Sequence, residues 1–206
     1  MVEEQIFHRG ITDPVILRAF SDVKRHLFVN PELRNKAYDD TSLDIGYGQD
    51  ISRPYIVAVM TYAVAPKYDK KVLEVGTGSG YHAAILAELV KTVYTIELNE
   101  NLARPARQRL DAMGYKNIKF KIGDGYKGWP QYAPYNCIIV TCNEDHIPQP
   151  LIDQLAVGGR MIIPVSYSSN LQELIVLEKQ DKKGTLKKTS LIPVQFTPMI
   201  RGNDSK

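Results

Sequence analysis

KVLEVGTGSG, residues 71–80, is followed by YHAAILAELV at 81–90 and then by TVYTIE, which ends in Glu97. Residues 72–75 form a short apolar run with β-branched members, the pattern of a strand buried on both faces. Gly76, Gly78 and Gly80 then let the backbone turn tightly and come close to a ligand. The alanine- and leucine-rich run after them reads as a helix, and the next apolar run as a second strand. In a strand, glycine turn, helix, strand unit the carboxylate closing the second strand hydrogen-bonds ribose hydroxyls. Glu97 stands at that point, so the unit predicts a nucleoside cofactor.

The glycine spacing narrows the cofactor. A dinucleotide fingerprint G-x-G-x-x-G begun at Gly76 needs glycine at position 81, where this chain has Tyr81. Here the glycines alternate instead, and Glu74 lies two residues before the first of them. Negative charge there gives a pyrophosphate nothing and favours a cation. The E-x-G-x-G-x-G run resembles the first motif of the Rossmann-like S-adenosylmethionine methyltransferases, whose cofactor carries a sulfonium and an ammonium and no phosphate.

The rest of the chain extends this pattern. Thr12-Asp13-Pro14 offers a cap and a proline at the first helical position, and Val15, Ile16, Leu17 and Phe20 supply a first helix. Residues 30–52 read as mostly irregular and end in DIGYGQDIS. Ser52 stands before Arg53-Pro54 as a candidate N-cap, ahead of an apolar helix with Ile56, Val57, Val59, Met60, Ala63 and Val64. From Lys71 onward strand and helix alternate: strand 72–75, helix to about Val90, strand 92–97, helix 99–113 closed by Gly114, strand 118–122. Strand 135–141, a short helix 150–156 and strand 160–165 follow. Residues 171–179 and 186–195 then read as two antiparallel strands joined at 181–184. The expectation is an α/β fold, a Rossmann-like doubly wound, mostly parallel sheet with a C-terminal antiparallel pair. We expect one domain over 1–206, with a helical and loop segment at 1–66 covering the site, a core at 67–200 and a loose tail at 201–206.

Composition excludes other classes. The 206 residues suffice for one sizeable core, and a formal charge of +3 with 24% charged residues describes an ordinary soluble surface. There is no dense basic stripe of the kind nucleic-acid binders carry, and KQDKKGTLKK at 179–188 reads as a solvated hairpin tip. No apolar run approaches a membrane span, and MVEEQ is no signal peptide. Cys137 and Cys142 read as free core thiols of a reducing compartment, so we expect a cytoplasmic protein with neither nucleic-acid nor membrane partners.

In a doubly wound sheet the ligand lies beyond the carboxyl ends of the strands, which makes the loops there suspects. The third ends in Gly123-Asp124-Gly125, where Asp124 could reach an adenine amine or simply make a turn. The fourth leads into Thr141-Cys142-Asn143-Glu144-Asp145-His146. That loop lacks the D/N-P-P-Y motif of amino-methylating nucleic-acid enzymes and the Pro-Cys of cytosine methylases. His82 and His146 are lone histidines without an evident orienting group and read as structural. No Cys, His or acidic spacing suggests a metal site.

Read together, GITDP (10–14), RHLFV (25–29), IGYGQDISRPYIVAVM (45–60), LEVGTGSGY (73–81), GDGYKGWP (123–130) and IIVT (138–141), with GGR and IPV around Arg160, resemble the protein-L-isoaspartate (D-aspartate) O-methyltransferases. The likeness runs over nearly the whole chain. It implies methyl transfer from S-adenosylmethionine to the α-carboxylate of isoaspartyl residues in damaged proteins and peptides. It also implies that Ser52 is the active residue and that Gln49, Asp50, Ile51 and Ser52 lie over cofactor and acceptor. By the same likeness Glu74 and Gly76, Thr77, Gly78, Ser79 and Gly80 face the methionine part, Glu97 and Leu98 the ribose, and Asp124 and Gly125 the adenine. A carboxylate with a pKa near ~4 is already ionised at neutral pH, so such a reaction needs alignment rather than a base. The chain departs from the common G-Q-T-I-S form at Asp50, a carboxylate that must point away, be protonated, pair with Arg53 or signal a changed acceptor. Glu144 and Asp145 add acid where relatives carry small residues.

Overall fold

The computed structural model describes residues 1–168 and 171–202. Helix α1 (Pro14–Asp22) starts at Asp13, whose Oδ1 accepts from the backbone N–H groups of Val15 and Ile16 at 2.8 and 3.2 Å. Helix α2 (Pro54–Ala63) begins on proline with Arg53 at the N-cap and no side-chain cap. The capping expectation for Ser52 is therefore corrected: the serine lies one residue too early, and the Tyr55 N–H that a cap would satisfy donates to Asp40 Oδ1 at 3.2 Å.

The stretch expected to be irregular before it contains an antiparallel hairpin, β1 (Leu43–Gly46) and β2 (Gln49–Ile51). Its turn residues Tyr47 and Gly48 have φ of 57° and 67°. Left-handed backbone at both central positions matches the right-handed strand twist. Tyrosine rarely adopts it, which hid the hairpin.

The main sheet is built from β3 (Lys71–Val75), β4 (Thr92–Glu97), β5 (Ile118–Ile122), β6 (Tyr135–Val140), β7 (Leu155–Ser168), β8 (Leu171–Lys179) and β9 (Leu186–Val194), in the order β5-β4-β3-β6-β7-β8-β9. Strands β3 to β7 run parallel, and β8 and β9 add antiparallel to β7. The chain walks outward from β3 to β5 and then returns to the other side of β3 as β6. Helices α3 (Tyr81–Leu89) and α4 (Glu100–Ala112) connect the outward steps, and α5 (Gln149–Gln154) connects β6 to β7.

Alternation along the buried strands sorts the core onto two faces. Val72, Val93, Ile139 and Ile162 pack with α3, Leu110 of α4 and the N-terminal residues Ile6, Phe20, Phe28 and Val57. Leu73, Tyr94, Ile138 and Met161 pack with Leu151 and Ile152 of α5 and with Trp129. Arg25 of the RHLFV stretch is fully buried against the first face, where its Nε donates to the Ala37 carbonyl at 2.8 Å and its guanidinium lies 4.9 Å from the Tyr81 ring centroid. The N-terminal segment is thereby fixed over α3. Among the described residues no helix is long and apolar enough to cross a membrane.

Candidate active site

The reversal of strand order at β3, where the chain re-enters on the other side as β6, opens a cleft of ≈ 1260 Å³ beyond the carboxyl ends of these two parallel strands. Its floor is the glycine loop. Gly76 has φ of +94°, and a Cβ there would stand 2.3 Å from Thr141 Oγ1. That hydroxyl lies 2.8 Å from the Gly76 carbonyl and 3.0 Å from that of Val75. On the other side Gly76 N–H donates to the Ile96 carbonyl at 2.9 Å. The loop is thus pinned between the ends of β6 and β4.

Glu97 closes β4 and holds the same loop by its side chain. Oε2 accepts from Gly78 N–H at 2.9 Å and Oε1 from Asn99 N–H at 3.0 Å. A carboxylate offers about four lone-pair directions, so each oxygen retains one for a hydroxyl donor in the cleft. Leu98 continues the wall beside it.

Glu74 is placed differently from what the resemblance implies. Its side chain has no exposure and lies beneath the loop, off the cleft wall. Oε2 accepts from Thr95 Oγ1 at 2.5 Å, and Thr95 Oγ1 is 2.5 Å from Thr77 Oγ1, which does line the cleft. Oε1 has no partner. Burial pushes the carboxyl up to about 8, against the Thr95 hydrogen bond, so it is largely protonated at neutral pH. Any influence on the cleft passes through the Thr95 and Thr77 hydroxyls.

The hairpin forms the opposite wall, where Gln49, Asp50, Ile51 and Ser52 meet Thr77, Gly78 and Ser79 across the opening. Ser52 is partly exposed, and its hydroxyl has no hydrogen-bond partner among the described residues. Asp50 stands opposite Asp44 in the hairpin, exposed at the cleft and with no ion pair to Arg53 among the described residues. Gly125 lines the cleft too, and a Cβ there would meet Val75 Cγ1 at 2.4 Å. Asp124 stands just off the wall, its Oδ1 accepting from Tyr126 N–H at 3.0 Å. Gly80, at φ of +87°, serves the close approach of α3 to Leu110 of α4.

The acidic residues of the loop after β6 lie off the cleft wall. Glu144 Oε1 pairs with Arg201 at 2.9 Å, and Arg201 stacks on the Tyr126 ring at 3.3 Å. Asp145 pairs with His146, whose Nε2 meets Tyr126 Oη at 3.0 Å. Glu144, Asp145 and His146 converge within 4.8 Å, as do the exposed Glu3, Glu4 and His8. Of residues 142–145 only Cys142 lines the cleft. Arg201 is therefore engaged, whereas the tail from 203 lies outside the described residues. His82 is buried, its ring 2.9 Å from Thr61 Oγ1, and burial pushes it down to about 3. It stays neutral and structural. Sequence reading missed the roof of the cleft, residues 193–200, which carry no motif of their own and are brought there by β9.

The sequence matches the family Protein-L-isoaspartate(D-aspartate) O-methyltransferase (PCMT) over residues 1–204. The chain belongs to that family. It is 53% identical over 199 residues to the "Protein-L-isoaspartate O-methyltransferase" of Picosynechococcus sp., covering 97% of this chain and 88% of that one. The relative of the same name from Gloeobacter violaceus is 46% identical, over 98% and 97%. A solved protein-L-isoaspartate O-methyltransferase superposes with a TM-score of 0.86 at 28% identity, over 98% of this chain and 67% of that one. A Plasmodium falciparum structure in complex with S-adenosyl-L-homocysteine has a TM-score of 0.82 at 22% identity, which speaks for the fold, over 97% of both chains. In this methyltransferase the seven-stranded sheet and its antiparallel C-terminal pair are those expected from the sequence.

Proposed function

We propose that the cleft between the glycine loop and the hairpin is where this protein-L-isoaspartate O-methyltransferase joins S-adenosylmethionine to its acceptor, with Ser52 as the orienting residue. When bound, the cofactor supplies a methyl group on a sulfonium. The residues fit it: Glu97 keeps acceptor capacity for ribose hydroxyls, and Gly76 to Ser79 present a floor of two glycines and two small hydroxyl residues beside the methionine part. Gly125, with Asp124 just behind it, is assigned to the adenine end.

Bound there, the cofactor would offer its methyl group to an isoaspartyl α-carboxylate, with the C–O bond forming as the S–C bond breaks and the neutral thioether of S-adenosylhomocysteine leaving. No proton moves, so the neutral His82 and the protonated Glu74 are no obstacle. The observation that carries this reading is the Ser52 hydroxyl, without a hydrogen-bond partner among the described residues and on the wall facing the glycine loop. It can donate to the acceptor carboxylate and hold one oxygen toward the methyl group, supplying alignment.

We assign damaged proteins and peptides with L-isoaspartyl and D-aspartyl residues as substrates. The free thiols Cys137 and Cys142 support a cytoplasmic setting. The N-terminal segment, sharing a core with the sheet, supports a single unit over 1–206. Incubation with methyl-labelled cofactor tests the reading. An isoaspartyl peptide should gain label that base releases as an ester, and its normal aspartyl twin should gain almost none. Equal or absent labelling overturns the assignment.

A further inference from the structure

The roof of the cleft is held from below and reaches across to the hairpin at one side chain. Phe196 N–H donates to Gln172 Oε1 at 2.7 Å, Asn143 N–H to the Thr197 carbonyl at 2.8 Å, and Met199 N–H to the Asn143 carbonyl at 2.8 Å. The backbone at Thr197 is thereby tied to β8 and to the loop after β6. Its hydroxyl donates to Gln49 Oε1 at 2.9 Å, bridging 148 positions of sequence. Gln49 lines the cleft three residues before Ser52, and its amide nitrogen has no partner among the described residues.

We propose that Thr197 is a positioning residue for the acceptor: it fixes the Gln49 amide so that the two Nε2 N–H donors face the acceptor carboxylate beside Ser52. The inference rests on the carboxyl-methylation reading above. An amide turned the other way would set a carbonyl against a carboxylate, so an anionic acceptor selects the N–H face once Thr197 has located the group. The neutral amide suits the task because the acceptor must remain a nucleophile. A cationic group in that place would bind it more tightly and blunt its attack on a sulfonium. The Thr197 hydroxyl is committed to Gln49 Oε1, so its removal should be felt in acceptor binding through Gln49.

Thr197→Val keeps the shape and deletes the hydroxyl, and Thr197→Ser restores it. With wild-type enzyme methylating the isoaspartyl peptide as reference, Thr197→Val should raise KM for the peptide about tenfold and leave kcat within about twofold. Calorimetric Kd for S-adenosylhomocysteine should stay within about twofold, and Thr197→Ser should return KM close to wild type. A purely structural threonine would instead lower the unfolding midpoint with no separation of KM from kcat. An unchanged KM in Thr197→Val, a Thr197→Ser as impaired as the valine variant, or a cofactor Kd that moves as far as KM overturns the proposal. A wild-type enzyme inactive on the isoaspartyl peptide removes the functional reading, and this inference with it, whatever the variants do.

Discussion

Ser52 is a small polar residue whose local sequence supports two trades, and the position of Pro54 decides between them. A capping hydroxyl is worth roughly 0.5–2 kcal/mol of stability, but at Ser52 there is no cap to lose. Ser52→Ala should therefore leave the thermal midpoint within a degree or so while removing a hydrogen bond to a charged acceptor, worth roughly 1.5–3 kcal/mol. Turnover on an isoaspartyl peptide should fall ~10- to 100-fold, with calorimetric affinity for S-adenosylhomocysteine unchanged. A variant that unfolds early and works normally would return Ser52 to a structural role. At this scale the sequence was legible where chemistry is local. The glycines and Glu97 sit in one strand, turn, helix, strand unit, and the bonds from Gly76 N–H to Ile96 and from Gly78 N–H to Glu97 follow from that unit alone. Thr197 was illegible, because its only signal is a partner 148 positions away. Glu74 was half legible: its place on β3 is as expected, but burial beneath the loop, not the residue type, makes it an acid rather than an anion at neutral pH.

Among the elements, the alternating strands and helices from Lys71 onward could be read because period and length are properties of each segment. The β1–β2 hairpin could not, since its turn places Tyr47 in left-handed backbone where Asn, Asp or Gly would have announced it. Strand β7 begins at Leu155 rather than Arg160, because Gly158 and Gly159 lie inside the strand rather than at its entrance. The glycine loop is the element under the most constraint, and its cost can be divided. Gly76→Ala adds left-handed strain of ~1–2 kcal/mol and drives a methyl into Thr141 Oγ1, a further ~1–3 kcal/mol of overpacking. Gly184, at φ of +87° with nothing within 4 Å of a built Cβ, carries the strain alone. For a chain of this size Gly76→Ala should lower the unfolding midpoint by ~5–15 °C and abolish measurable cofactor binding, and Gly184→Ala should lower it by only ~2–6 °C with binding intact. Equal drops in the two variants would show that the contact with Thr141 is not a clash the loop feels.

Over the whole molecule, parallel pairing follows from the alternation of strands with helices, but where the sheet doubles back depends on which side of β3 the chain re-enters, a matter of packing. That re-entry creates the cleft and buries two titratable groups beside it, and their pH effects oppose one another. Burial moves Glu74 from 4.5 up to about 8 and His82 from 6.5 down to about 3. Between pH 6.5 and 8 the unfolded chain has released the Glu74 proton and the folded chain keeps it, so stability falls as pH rises, by about 1.4 kcal/mol per unit. Between pH 4.5 and 3 the unfolded chain takes up a His82 proton that the folded chain refuses, so stability falls as pH drops. From 4.5 to 6.5 each state holds one of the two protons, and this pair contributes a plateau. Glu74→Gln removes the alkaline slope and leaves the acid one. Urea unfolding at pH 6.5 and 8 should show wild type losing about 2 kcal/mol more than Glu74→Gln across that interval. Parallel loss in both proteins would mean that Glu74 is ionised in the folded state, and that the buried carboxylate meets the cleft as a charge rather than through Thr95 and Thr77.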